Sequence, residues 1–212
     1  MKRAIIKPDE HVFIGGRTGS GKSFLVRKYL AGFENVVVLD TKGTVEWPEI
    51  SKEEKTLVRC LTDLSRVETP KIIYRPVWEE HTQAHFNSFF QWCYMRQNCV
   101  VWVDEVFTVS PNPQVLPPYY RAILTQGREL GVAAWSLSQR PAGISALPIS
   151  EASHFFIFDL NMPQDRRKIV DVTGVTEFYQ KPGKYNFWYY HVTGMDYAVK
   201  ARLVERRGTR NG

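Results

Sequence analysis

The 212-residue chain predicts an α/β fold of three layers, αβα: a mainly parallel central sheet between helices, followed by a C-terminal β-hairpin. Three observations carry this. Short β-branched and aromatic runs alternate with segments of helical periodicity, the order that a parallel sheet requires. The runs are apolar throughout, as in strands covered on both faces. The last stretch changes to alternation around Thr193-Gly194, the pattern of a hairpin.

Along the chain, His11–Gly15 reads as a short strand and Gly21–Ala31 as a helix. Asn35–Asp40 contains Val36-Val37-Val38-Leu39, fit for a buried parallel strand. Lys71–Arg75 is a further strand. Glu79–Gln97 is a helix, because Phe86, Phe89, Phe90 and Cys93 recur at helical spacing. Cys99–Asp104 is another buried strand. Pro117–Glu129 is a helix with prolines at its start and Gly131 just past its end. Val132–Ser138 and Ser153–Asp159 are strands, and a helix runs from Pro163 to Val172. Lys184–Val204 forms the hairpin. Lys42–Pro70 holds charge, a proline and one short apolar piece, Thr56–Leu61, with no pattern that decides its structure. The basic tail, Arg202 to Arg210, is expected to fray beyond Arg207. The expectation is a single domain over residues 1–212, with its core at about 10–175 and the hairpin and tail at about 184–212.

Hydrophobic residues make up 43% and charged residues 24%, a globular profile. No apolar run approaches the roughly 20 residues that cross a bilayer. The N-terminus, Met1–Lys7, stops being apolar after three residues, so neither a membrane span nor a signal sequence is expected. Cys60, Cys93 and Cys99 lack metal-ligand spacing and suit a reducing interior. His81, His85, His154 and His191 show no metal spacing either. A net charge of +6 and a pI near 9.2 point toward an acidic polymer partner.

The sharpest motif is Gly16-Arg17-Thr18-Gly19-Ser20-Gly21-Lys22-Ser23, a full GxxxxGK[ST] phosphate-binding loop between a strand and a helix. Its glycines let successive N–H groups turn inward, and the helix N-terminus completes a nest for phosphate oxygens. Lys22 is expected to reach the β- and γ-phosphates of ATP, and the Ser23 hydroxyl to ligate Mg²⁺.

Binding alone does not hydrolyse. Val100-Val101-Trp102-Val103-Asp104-Glu105 adds two carboxylates at the C-terminal end of a buried strand, where ligand sites lie in open α/β sheets. Asp104 is the expected second Mg²⁺ holder, and Glu105 the residue that orients and deprotonates water. A small-molecule kinase must keep water from the γ-phosphate, so the pair favours an ATPase.

Two further segments follow: Gln126-Gly127-Arg128-Glu129-Leu130-Gly131, then a strand ending Ser138-Gln139-Arg140-Pro141. With the phosphate loop and the Asp-Glu strand, they resemble the FtsK–HerA superfamily of DNA-pumping ATPases, a RecA-like branch of the P-loop NTPases. Asp40-Thr41-Lys42-Gly43 resembles the "D-x-K-G" ending of that family's second strand, and Asn161-Met162-Pro163-Gln164-Asp165-Arg166 its "N-x-P-x-D-R" segment. The resemblance spans roughly Val12 to Val172. It implies that Gln139 is a polar sensor of γ-phosphate or attacking water, and that Arg128 is an arginine finger offered to a neighbour's nucleotide. Arg121 and Arg140 are the alternative fingers.

The phosphate loop begins at residue 16, so the barrel or membrane segments of the cellular members are not expected before it. The bare core resembles the genome-packaging ATPases of tailless viruses with an internal membrane. That resemblance implies a homo-oligomeric ring, pentamer or hexamer, translocating double-stranded DNA into a preformed capsid. A capsid or portal-vertex protein would be its partner, and the host cytoplasm or the virion packaging vertex its location. The rival readings are a zonula-occludens-toxin-type phage assembly ATPase and, from another class, a small nucleotide or metabolite kinase. Arg166, Arg167, Lys168, Arg202, Arg206, Arg207 and Arg210 are the candidate DNA-phosphate contacts. The run Tyr185-Asn186-Phe187-Trp188-Tyr189-Tyr190 is expected to cover the sheet edge or a subunit contact rather than stack on nucleic acid.

Overall fold

The computed structural model describes residues 4–204. Nine strands form one sheet in the order β3-β4-β2-β5-β6-β1-β7-β8-β9. The strands are β1 (Val12–Gly15), β2 (Val36–Leu39), β3 (Lys55–Val58), β4 (Lys71–Tyr74), β5 (Cys99–Val103), β6 (Val132–Ser138), β7 (His154–Ile157), β8 (Asn186–His191) and β9 (Val199–Arg202). All pairings from β3 to β7 are parallel, and β8 and β9 add an antiparallel edge.

Alternate residues of each central strand feed opposite faces, which makes three layers. Val12, Ile14, Val36, Val38, Val100 and Trp102 pack with Leu25, Val26 and Leu30 of α1 (Lys22–Leu30). Phe13, Val37, Leu39, Val101 and Val103 pack on the other face with α2 (Gln83–Arg96), α4 (Pro118–Gln126) and α6 (Pro163–Thr173). Short turns α3 (Val106–Val109) and α5 (Leu147–Ser150) fill the same face. Burial on both sides is why these strands are uniformly apolar.

Lys42–Pro70 acquires structure through partners distant in sequence. Trp47 is buried edge-on against Trp102 at 5.8 Å, and its indole N–H donates to the Arg27 carbonyl at 3.1 Å. Lys55 donates to the carbonyls of Trp47 and Ile50. The edge strand β3 has one buried side chain, Val58, so it lacks the period of a half-buried strand. A 3-10 turn, Leu61–Arg66, follows it.

The helix expected from Glu79 starts later. Trp78–Glu80 is a separate 3-10 turn, and Thr82 caps α2 by accepting the His85 N–H. Glu80 instead accepts the Leu61 N–H and, at 2.6 Å, the Tyr74 hydroxyl. The helix expected over Pro117–Glu129 ends at Gln126, and Gly127–Leu130 continues as a 3-10 turn. The hairpin is present, but Val192 to Ala198 connects its strands, and Thr193-Gly194 is only part of that turn. The aromatic run lies in β8, between β7 and β9. Phe187 and Tyr189 are buried against Phe156, so the run extends the core instead of offering a stacking platform. Arg206, Arg207, Arg210 and the expected fraying lie outside the described residues. Among the described residues no helix is long and apolar enough to cross a membrane.

Two stability predictions follow from this packing. A Cβ on Gly127 would lie 2.5 Å from the Val132 carbonyl oxygen, a backbone atom with no freedom to retreat. Gly127→Ala should therefore cost about 2 kcal/mol in urea unfolding, whereas a loss under about 0.5 kcal/mol would contradict the close approach. His11 is buried beneath β1 with its Nδ1 accepting the Ala134 N–H at 2.9 Å. Burial, reinforced by Arg128, pushes its pKa down to about 4 from 6.5. The unfolded chain takes up that proton first, so the contribution of His11 is complete above about pH 6.5 and lost as pH falls toward 4. Unfolding free energies of wild type and His11→Gln, measured in urea, should converge over this window by up to about 3 kcal/mol; parallel curves would refute it.

Candidate active site

The loop 16–21 links the C-terminal end of β1 to α1. Its ends are tied to neighbouring strands: the Gly16 N–H donates to the Ser138 carbonyl (3.1 Å) and the Arg17 N–H to the Asp159 carbonyl (2.7 Å). Gly19 and Gly21 take φ of 73° and 105°, and a Cβ on Gly16 would sit 2.7 Å from Phe158 Cβ and 2.8 Å from Ser20 Oγ. These backbone demands account for the glycines. The Lys22 ammonium folds back inside the loop, donating to the carbonyls of Gly16 (2.6 Å) and Arg17 (3.0 Å). Burial pushes its pKa down to about 8; Glu105 and Asp104 pull it up and Lys42 pushes it down.

Asp104 and Glu105 follow β5, and both are buried. The Ser23 hydroxyl points at Asp104 Oδ1, 3.4 Å away. Two hard oxygen donors from different elements thus lie side by side, donors of the kind that Mg²⁺ takes. Burial raises the Asp104 pKa, opposed by Lys42. Glu105 Oε1 accepts the backbone N–H of Gln139 (3.2 Å) and of Phe107 (3.4 Å), while Oε2 pairs with the Lys42 ammonium at 2.8 Å. Gln139 leaves the end of β6, between β1 and β5, and its Oε1 accepts the Thr18 hydroxyl at 2.6 Å. The buried hydroxyl of Ser20, within the loop, has no hydrogen-bond partner.

The structure therefore brings together Gly16–Ser23, Asp104, Glu105 and Gln139. It does not bring Arg128 to them. Arg128 precedes β6, at the opposite end of the sheet from the loop, with its Nε 3.8 Å from Asp9. Arg140 is near the site but pairs with buried Asp165 at 3.5 Å. Arg166 Nη1 donates to the Leu160 carbonyl (2.7 Å), and its guanidinium lies over the ring of Tyr179. Arg167 and Arg202 remain exposed, and Lys168 is half-buried.

Two features had no sequence signal. Lys42 belongs to a motif, yet nothing in its spacing reveals that it reaches across from β2 to Glu105; only the β2–β5 adjacency does. His154 and His191 are register partners stacked at 4.2 Å, with ligand atoms of Glu10 and both rings within 4.8 Å of one another. Both nitrogens of His154 are engaged, by Glu10 (3.0 Å) and the Tyr189 hydroxyl (2.9 Å). Parallel rings direct their in-plane lone pairs side by side, so the cluster acts as a polar clasp between hairpin and core.

No family model matches the chain. In sequence it is similar to the DNA packaging ATPase P9 of Enterobacteria phage PRD1, at 26% identity over 167 residues, covering 76% of this chain and 68% of P9. In structure it is similar to the genome packaging NTPase B204 of Sulfolobus turreted icosahedral virus 2, solved with sulfate: TM-score 0.78, 18% identity, 94% of this chain and 99% of that one. EssC ATPases 2 and 3 from Geobacillus thermodenitrificans share the fold at TM-score 0.60 and 14% identity, over 92% of this chain and 39% of theirs. These matches bear out the resemblance at the level of sequence similarity and fold: the chain is similar in sequence to a viral DNA packaging ATPase and shares its fold with B204 and with the EssC ATPases.

Proposed function

We propose that the chain is an ATP-hydrolysing motor that translocates double-stranded DNA, packaging a viral genome into a preformed capsid. The observation that carries the reading is the convergence of Lys22, Asp104, Glu105 and Gln139 at the ends of three adjacent strands. The similarity to P9 supplies the biological setting, and B204 has been solved with AMPPCP and with ATP-gammaS.

The loop amides and Lys22 bind and neutralise the triphosphate. Ser23 and Asp104 would hold Mg²⁺, which would supply positive charge to offset that of the phosphates. Glu105 accepts a proton from water and aligns it for in-line attack on the γ-phosphate. Gln139 donates to a phosphate oxygen while accepting from that water. Its tether to Thr18 makes it responsive to the loop's contents. A kinase would have no use for a buried carboxylate held by backbone N–H groups where water must attack.

Arg128 lies too far from its own chain's loop to act there, which suits a finger offered to the next subunit of a homo-oligomeric ring. One domain spanning residues 1–212 would then be the repeating unit. A capsid or portal-vertex protein would anchor the ring, in the host cell and at the packaging vertex. Arg166, Arg167, Lys168, Arg202, Arg206, Arg207 and Arg210 are the candidates for DNA-phosphate contacts, with Arg167 and Arg202 exposed.

Glu105→Gln should lower ATP turnover at least about a hundredfold while leaving nucleotide binding intact; turnover at the wild-type rate rejects the water-activator role. Arg128→Ala and Glu105→Gln subunits, each inactive alone, should regain hydrolysis when mixed, because one supplies an intact site and the other the finger. A mixture as inactive as its parts removes Arg128 from that role. A phosphate beside Lys22 raises its pKa, so binding takes up a proton above about pH 8. ADP affinity should thus be constant below about pH 8 and about tenfold weaker near pH 9. The Lys22→Arg variant, which does not titrate in this range, should lack that fall, and a wild-type profile without it would contradict the assignment.

A further inference from the structure

Asp40-Thr41-Lys42-Gly43 has no part in the reaction described above, although it is built with care. Asp40 is wholly buried at the end of β2. Its Oδ1 accepts the Thr44 N–H at 3.1 Å, and its Oδ2 accepts the Val45 N–H at 3.1 Å and pairs with Arg75 Nε at 2.8 Å. Arg75 also donates to the Val45 carbonyl at 3.0 Å, and the Gly43 N–H closes the turn on the Asp40 carbonyl at 3.3 Å. A turn pinned at this many points fixes where Lys42 begins.

From there the Lys42 ammonium reaches Glu105 Oε2 at 2.8 Å. The opposite oxygen of Glu105 is already engaged by two backbone N–H groups. Glu105 is therefore held at both ends, and a carboxylate spent on an ammonium is poorly placed to take a proton from water. The Lys42 ammonium also acts electrostatically on Lys22 and Asp104, the residues assigned above to the phosphates and to Mg²⁺. The terminal phosphate carries more charge than one carboxylate, and a compact ammonium on a flexible stem can change partners.

We propose that Lys42 is a positioning residue that holds Glu105 until a terminal phosphate draws its ammonium away, releasing the carboxylate for water. The site thereby responds to a nucleoside triphosphate and not to a diphosphate. This rests on the reading of Glu105 as the water activator.

The test uses the full chain with Mg²⁺, and compares affinity for AMPPCP and for ADP in wild type, Lys42→Ala, Lys42→Met and Lys42→Arg. Met keeps the aliphatic stem if Ala compromises folding. Loss of the ammonium should weaken AMPPCP about tenfold and change ADP by less than about twofold, and Arg should recover most of the loss. Equal weakening of both nucleotides marks a merely structural ion pair and overturns the proposal, as does no weakening of AMPPCP. Crystal structures give the direct reading: the Lys42–Glu105 contact should persist with ADP and open with AMPPCP. A contact kept with both, or lost with both, also overturns it. Should Glu105→Gln hydrolyse ATP at the wild-type rate, the water-activator reading falls, while the AMPPCP-to-ADP ratio still decides whether Lys42 senses the terminal phosphate.

Discussion

The site depends on the hydrogen-bonded register of β1, β6 and β5. β6 lies between the other two and pairs with both, Gly15 opposite Ser138 and Val103 opposite Ser136. The phosphate loop and the acidic pair thus leave the sheet at matching levels, two strand spacings apart, or roughly 10 Å. Gln139 emerges between them. A slip of one residue would turn Phe13 and Val101 out of one core layer and into the other. The apolar alternation that fills both layers therefore also sets the geometry of the charged groups.

Four ionisable side chains, Lys22, Asp40, Asp104 and Glu105, are buried together. Each is desolvated, and each has partners that offset the cost: carbonyls for Lys22, Arg75 and two N–H groups for Asp40, Lys42 and two N–H groups for Glu105. Asp104 has one long hydrogen bond, from Ser23, and its pKa is raised by burial in spite of the charges of Lys42 and Lys22. Within the phosphate loop itself, the buried Ser20 hydroxyl has no hydrogen-bond partner.

Much of this was legible in the sequence because it is written in contiguous segments. The phosphate loop is eight consecutive residues between a strand and a helix. Asp104-Glu105 closes an apolar run, and Ser138–Pro141 closes the next strand. Contacts made across strands left no such trace. Neither the Thr18–Gln139 tether nor the Lys42–Glu105 pair has a spacing that could announce it, and the stacking of His154 on His191 needs the β7–β8 register. β3 escaped notice because an edge strand with one buried residue has no hydrophobic period. Helix α2 is shorter than its sequence suggests because Glu80, a good helix former, is committed to Tyr74 and Leu61. Arg128 was legible as a motif residue, but its place at the far end of the sheet was not.

The central claim is that this chain hydrolyses ATP as one member of a ring acting on duplex DNA. ATP turnover per subunit, followed against protein concentration with and without double-stranded DNA, tests it most directly. Turnover per subunit should rise with concentration as subunits assemble, and duplex DNA should increase it further. A rate per subunit that is constant with concentration and indifferent to DNA would contradict the ring-motor account.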